Sequence, residues 1–237
     1  MPLVSVTYCQ QYKRANVHTY GCNFKCKGCS YKLNEERSQT KTLTLEQVKN
    51  ALRSLKIKRV HFVGGEPTLC QDIGPIAKFC HEELCVRTKI GHSMGWNMPP
   101  NDIDEMNITI KAYSERIHKE YTGAPNKRVL TNFRKIYDQG ITLSASTVFI
   151  PSLIDLGELE DIAIFIADVD PLIPLHITGY IPVPGTPWRS PNPNEMAKAK
   201  QIAKQHLEEV TTSYHQSADD YTRMIKEDSR YQSIRVA

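Results

Sequence analysis

Val17-His18-Thr19-Tyr20-Gly21-Cys22-Asn23-Phe24-Lys25-Cys26-Lys27-Gly28-Cys29 is the stretch from which the chain is read outward. Val17–Tyr20 is short and β-prone, Gly21 interrupts it, and three cysteines follow at once in Cys-x3-Cys-x2-Cys spacing. The chain has seven cysteines, an odd number that argues against a closed disulfide framework, and Cys9, Cys70, Cys80 and Cys85 are scattered. Three thiolates on a short loop can hold three irons of a [4Fe–4S] cube, which usually takes four cysteines. An iron without a protein ligand is open to a substrate or cofactor, an arrangement for catalysis rather than for electron storage. Spacing alone leaves other readings open. A structural zinc site usually takes two separated Cys-x2-Cys pairs. Cys26 and Cys29 could form a redox pair that leaves Cys22 unexplained, or the thiols could be unligated.

Beyond this loop, strand-like and helix-like stretches alternate. Thr44 and Gln47 form a capping box ahead of Leu45, Val48, Leu52 and Leu55 at helical spacing. Arg59–Val63 reads as a strand ending in Gly64-Gly65-Glu66-Pro67. Helix Ile73–Glu83, strand Val86–Ile90 and strand Asn107–Lys111 follow, then a helix Val129–Gln139 that closes at Gly140. Strand Leu143–Ile150, a helix through Leu156, Leu159, Ile162 and Ile166, strand Leu175–Tyr180 and helix Glu195–Val210 complete the series. About six βα units predict an α/β fold with parallel strands, an open partial (β/α)6 barrel, since eight units make the closed one. The expected division is a barrel over 1–212 and a polar C-terminal extension over 213–237, helical or frayed.

The 237 residues suit one large domain that buries roughly 70–75% of its unfolded surface without disulfides. No apolar run approaches the ~20 residues of a membrane span, and the start MPLVSVTYCQ lacks a basic n-region, so a cytoplasmic protein with no membrane partner is expected. Residues 1–59 hold 12 basic and three acidic residues, against 18 and 23 in the rest. A basic first quarter could attract an acidic protein partner, an anionic small molecule or, with the weakest case, nucleic acid, but no basic run exceeds two residues, which favours a merely solvated surface.

Cys-x3-Cys-x2-Cys after one strand and Gly-Gly-Glu-Pro after the next resemble the radical S-adenosylmethionine (AdoMet) superfamily, over residues 17–181. The resemblance implies a [4Fe–4S] cluster on Cys22, Cys26 and Cys29, and AdoMet chelating the fourth iron through its methionine amino and carboxylate groups. It implies that Gly64, Gly65 and Glu66 receive the methionine amine, and that one-electron cleavage of AdoMet gives a 5′-deoxyadenosyl radical that abstracts hydrogen. Ile108-Thr109-Ile110-Lys111-Ala112-Tyr113 and Val148-Phe149-Ile150-Pro151-Ser152 further resemble pyruvate formate-lyase activating enzymes. That implies Lys111 and Ser93 at the cofactor, a flavodoxin or ferredoxin as electron donor, and a protein substrate presenting a glycine loop.

The chain also departs from the pattern. Gly28 stands where an aromatic is usual, so that only its backbone could meet adenine. His92 in Gly91-His92-Ser93-Met94-Gly95 stands where an aspartate is usual, and it is a candidate acid, base or substrate contact. Tyr180-Ile181-Pro182 replaces an aromatic-His-Pro segment. These changes fall on the substrate pocket and keep a second reading open, modification of a small molecule or RNA. An iron–sulfur electron carrier is the third reading. Cys70, Cys80 and Cys85 are spaced across a helix, which suits core thiols better than an auxiliary cluster.

Overall fold

The computed structural model describes residues 1–33, 41–215, 217–227 and 232–237. Its elements run β1 (Leu3–Cys9), β2 (Arg14–Thr19), α1 (Leu45–Arg53), β3 (Arg59–Gly64), α2 (Ile73–Glu82), β4 (Arg87–Ser93), β5 (Glu105–Thr109), α3 (Glu115–Thr122), α4 (Lys127–Asp138), β6 (Thr142–Phe149), α5 (Leu156–Ala167), β7 (Leu175–Gly179), α6 (Pro193–Ala203), β8 (Val210–Ser213), α7 (Ala218–Glu227) and β9 (Ile234–Arg235). One sheet carries the strands in the order β8-β7-β6-β5-β4-β3-β2-β1-β9. Strands β2 through β8 pair in parallel, as crossover connections require, and β1 and β9 add antiparallel pairs at one edge. This is the expected α/β partial barrel, with β2–β7 as its six strands.

Alternation in the strands separates two faces. Ala15, Val17, Val60, Phe62, Ile90, Met106, Ile108 and Ile177 are fully buried and share one core with Val48, Leu52, Ile76, Phe133, Ile162 and Ala199 of the helices. Asn16, His61, Lys89, Asn107, Ser144 and His176 alternate with them and remain half-buried on the opposite, concave face. The helices start where local chemistry dictates. The Thr44–Gln47 capping box closes through Gln47 N–H to Thr44 Oγ1 at 3.2 Å and Thr44 N–H to Gln47 Oε1 at 2.8 Å. Asp155 Oδ1 accepts the Glu158 N–H at 3.1 Å and starts α5, while α4 ends just ahead of Gly140, which lies at φ 79°.

Four elements differ from expectation. β1 forms a hairpin with β2. The helix expected over Glu195–Val210 stops at Ala203, and Val210 instead opens β8, pairing with Leu175. A separate short helix, α3, precedes α4. In the C-terminal stretch, α7 is followed by β9, which pairs with β1 through Thr7 and Tyr8; residues 216 and 228–231 of that expected extension lie outside the described residues. Among the described residues, no helix is long and apolar enough to cross a membrane.

Candidate active site

The cysteine loop leaves the end of β2 and is held at three points. Gly21, at φ 105°, offers its carbonyl to the Glu66 N–H at 3.0 Å. Phe24 is buried and packs edge-on against Trp96, with ring centroids 5.4 Å apart, and against His118 at 6.4 Å. The Lys25 and Lys27 N–H groups donate to the Thr122 and Tyr121 carbonyls at 2.8 and 2.9 Å, so the loop caps the otherwise open C-terminal carbonyls of α3. α3 thus clamps the loop, a role that sequence reasoning missed; Ser114 three residues before Ile117, ending at Gly123, was the available signal.

Cys22 is exposed, whereas Cys26 and Cys29 are half-buried. Burial raises the Cys22 thiol, and the charges of Glu66 and Cys29 add to this. Burial pushes Cys26 up to about 11; Cys29 and Cys22 reinforce the shift and Lys111 opposes it. The three sulfurs thus lie within one another's electrostatic reach. Among the described residues no three His, Cys, Asp or Glu side chains could hold one metal ion. A cube does not require such a convergence, because its cysteines bind different irons. A mutually sensing three-thiol loop with a cationic neighbour fits an iron–sulfur cluster, and loading it requires the thiols to lose their protons.

Gly64, Gly65 and Glu66 sit against this loop. Gly64 lies at φ 139°, and a Cβ there would stand 2.1 Å from the Thr19 carbonyl oxygen; a Cβ on Gly65 would stand 1.6 Å from that of Gly21. The close approach that demands glycine is therefore between the two strand ends themselves, not only toward a ligand. Glu66 is 1% exposed. Its Oε1 accepts Ser93 Oγ at 2.5 Å, Thr68 Oγ1 at 2.6 Å and the Thr68 N–H at 3.2 Å, and its Oε2 accepts the Met94 N–H at 2.7 Å. One lone-pair direction on Oε2 remains for a further donor, since a carboxylate offers about four. Ser93, which the sequence pointed to as a cofactor contact, here ties Glu66 to the end of β4.

Gly28 has its own reason. A Cβ there would meet the Tyr180 ring at 2.7 Å and the Tyr121 hydroxyl at 2.9 Å, so no side chain fits. Trp188 packs on both tyrosines, with centroids 5.7 and 5.9 Å away. These aromatics come from three separate segments and were invisible as a group in the sequence. Lys111, just past β5, is half-buried and faces Cys26 and His92.

His92 is aimed by a register shift between Ile90 and Ser93, where β4 holds one residue more than its partner strand. His92 is exposed, and Lys89, Asn107, Lys111 and His176 lie within its reach. Burial, then Lys111, His176 and Lys89, bring its pKa down to about 4, against a hydrogen bond that it donates to the Asn107 side chain. Cys70 and Cys80 are core residues, the latter pushed up to about 12 by burial, whereas Cys85 is exposed at φ 52°, so the three do not gather. A hollow of about 520 Å³ lined by Tyr113, Leu130 and Arg134 is wide open and includes none of these site residues.

Kinship agrees with this geometry. Residues 16–166 match the Radical SAM superfamily. A Methanocaldococcus jannaschii protein provisionally named a glycyl-radical enzyme activating enzyme is 31% identical over 219 residues, covering 89% of this chain and 85% of its own. A domain of pyruvate-formate lyase-activating enzyme from Bacteroides vulgatus superposes with a TM-score of 0.54 at 17% identity, over 65% of this chain and 98% of that one. Streptococcus suis SuiB bound to precursor peptide SuiA superposes with a TM-score of 0.65 at 15% identity, over 82% of this chain; this chain spans 47% of that longer protein. From the match over most of its length, the chain belongs to the radical SAM superfamily, whose enzymes use a [4Fe–4S] cluster and S-adenosylmethionine.

Proposed function

We propose that Cys22, Cys26 and Cys29 hold the cluster, that the Gly64–Glu66 turn, the Gly28 backbone, Ser93 and Lys111 position AdoMet, and that the hydrogen is taken from a glycine of a partner protein. The observation that carries this reading is the 3.0 Å bond from the Glu66 N–H to the Gly21 carbonyl, which fastens the thiol loop and the glycine turn to the same ends of β2 and β3. Held by Cys22, Cys26 and Cys29, the cluster would supply the single electron for reductive cleavage of AdoMet, the source of the hydrogen-abstracting radical.

The chain's own residues contribute placement. Buried Glu66, fixed by four donors, presents its remaining Oε2 lone pair to an amine without reorganising, which is worth more than a mobile surface acceptor. Lys111 offers a cation to a carboxylate or ribose hydroxyl near Cys26. Tyr121, Tyr180 and Trp188 form an apolar wall over Gly28 that keeps water from a reactive carbon. Exposed Lys25, Lys27 and Lys32 surround the loop and suit an acidic donor such as flavodoxin or ferredoxin.

A glycine target is supported by the name of the Methanocaldococcus relative, and a peptide-sized target by the precursor peptide bound to SuiB. The test is isotope transfer. A glycyl-radical enzyme labelled with α-deuterated glycine, incubated with reduced protein and AdoMet, should pass deuterium into 5′-deoxyadenosine and develop a glycyl radical signal. Deuterium-free 5′-deoxyadenosine and no radical on the partner would remove the glycine target. The polar concave face favours a second reading, a small molecule held inside the barrel.

A further inference from the structure

Parallel pairing sets Asn16, His61, Lys89 and Glu105 in one row across β2–β5, and Ser146, His176 and Thr211 in another across β6–β8. Their sequence neighbours Val17, Val60, Phe62, Ile90, Ala145 and Ile177 are buried on the helix side, so both rows face the concavity. The β4 bulge adds His92 to this face, hydrogen-bonded to Asn107. Asn107 is itself immobilised by Ser144 Oγ at 3.0 Å and Ser146 Oγ at 2.8 Å. His176 is likewise fixed, by Thr211 at 2.8 Å and Ser213 at 2.9 Å.

The charge on this face is lopsided. His61 lies among Arg14, Arg59, Lys89 and His92, and His92 lies among Lys89, Lys111 and His176. Glu105 is the acid of the row, and it is shared by Lys89 and Arg87 at 3.4 Å each. Lys111 is within electrostatic reach of both Cys26 and His92. Burial and these cations hold both imidazoles neutral, His61 at about 3 and His92 at about 4. His61 Nε2 is buried with no hydrogen-bond partner among the described residues. A buried imidazole edge without a partner, beside converging cations, is unfavourable unless a ligand completes it. The converging cations set the sign of that ligand, which carries negative charge.

We propose that this concave face binds a small organic anion, a carboxylate or a phosphate ester, with Lys89 and Lys111 as charge partners and His61 and His92 as hydrogen-bonding contacts. The anion enters from the end that carries the cysteine loop, where Lys111 is shared between the two regions. This deepens the small-molecule reading of the barrel, and it rests on AdoMet being held at the loop end of the same barrel.

Calorimetric titration of the cluster-reconstituted protein tests it with inorganic phosphate and succinate as probes and chloride at matched ionic strength as control. Saturable binding of either probe is expected. Phosphate alone names a phosphate ester, succinate alone a carboxylate, and both an anion site open to either. Lys89→Met and His61→Gln, compared at full iron content, should each weaken binding at least tenfold, and Lys89→Arg should restore it. Binding equal to that of chloride, binding unchanged in Lys89→Met and His61→Gln, or displacement of the probe by AdoMet would overturn the inference. Iron content and 5′-deoxyadenosine release are read separately, so loss of the anion site and loss of the cofactor reading remain distinguishable.

Discussion

The end of β3 and its middle are built on opposite principles. At the end, Gly64–Glu66 is nearly saturated: each glycine is locked by a neighbouring carbonyl, and the Glu66 carboxylate accepts from Thr68, Ser93 and Met94, leaving one Oε2 lone pair. In the middle, His61 is surrounded by cations and its buried Nε2 lacks a partner among the described residues. A saturated network is rigid and specifies one geometry, which is what a cofactor that must be held at a fixed distance requires. An uncompensated one is what the proposed anion would complete, as a ligand that arrives and leaves requires.

The largest expected effect is at the loop that faces the saturated end. Cys22→Ala, Cys26→Ala and Cys29→Ala should each abolish incorporation of about four irons and four sulfides per chain, read by iron and sulfide analysis after anaerobic reconstitution. Cys80→Ala, deep in the core, should lower stability and leave iron intact. A full cluster in Cys22→Ala would dissolve the distinction between clustered and scattered cysteines.

Gly65→Ala comes next. Its methyl would stand 1.6 Å from the Gly21 carbonyl oxygen, so the loop or the turn must move, at a loss near the upper end of the ~1–3 kcal/mol range for overpacking. A lower melting temperature with poor cluster loading is expected. An unaffected variant would mean that the two strand ends are not locked together.

Glu66→Ala leaves the Ser93 hydroxyl and the Met94 and Thr68 N–H groups without their acceptor, and removes the anionic partner of an amine. Charge-assisted bonds of roughly 1.5–3 kcal/mol correspond to about a 10- to 150-fold loss of AdoMet affinity, measured by equilibrium binding at full iron content. Ser93→Ala, which removes one donor, should lose less. Equal affinity in Glu66→Ala and the parent protein would reduce Glu66 to a brace.

The smallest effect belongs to the middle of the sheet. His61 and His92 are depressed to about 3 and about 4 from an ordinary 6.5, so below pH 6.5 the unfolded chain binds protons that the folded chain refuses. Their contribution to stability is complete above pH 6.5 and is lost as pH falls toward 4 and then 3. Melting temperatures between pH 7.5 and 4 should fall less steeply in His61→Gln than in the parent. Parallel curves would show that His61 is not held neutral.

What could be read from the sequence follows the same divide. Cys-x3-Cys-x2-Cys and Gly-Gly-Glu-Pro are contiguous, so the saturated end was legible residue by residue, as were the Thr44 capping box and the Gly140 helix stop. Asn16, His61, Lys89, Asn107 and His176 lie on five different strands. Each alone looks like the solvent side of a half-buried strand, and parallel register alone brings them together. His92 needed the bulge, which no periodicity announces. β8 escaped because Val210-Thr211-Thr212-Ser213 has a single apolar residue, and it is held by its pairing with β7. The glycines at 64 and 65 were found for an incomplete reason, since the backbone they admit is the chain's own.

The central claim is that the thiol loop and the glycine turn together cleave AdoMet reductively. Reconstituted protein reduced with dithionite and given AdoMet without substrate should slowly release 5′-deoxyadenosine and methionine. The cluster-cysteine variants should release none, and Lys111→Ala should retain a measurable fraction. Methylthioadenosine or S-adenosylhomocysteine in place of 5′-deoxyadenosine would mean transfer of an aminocarboxypropyl or methyl group and would contradict the account.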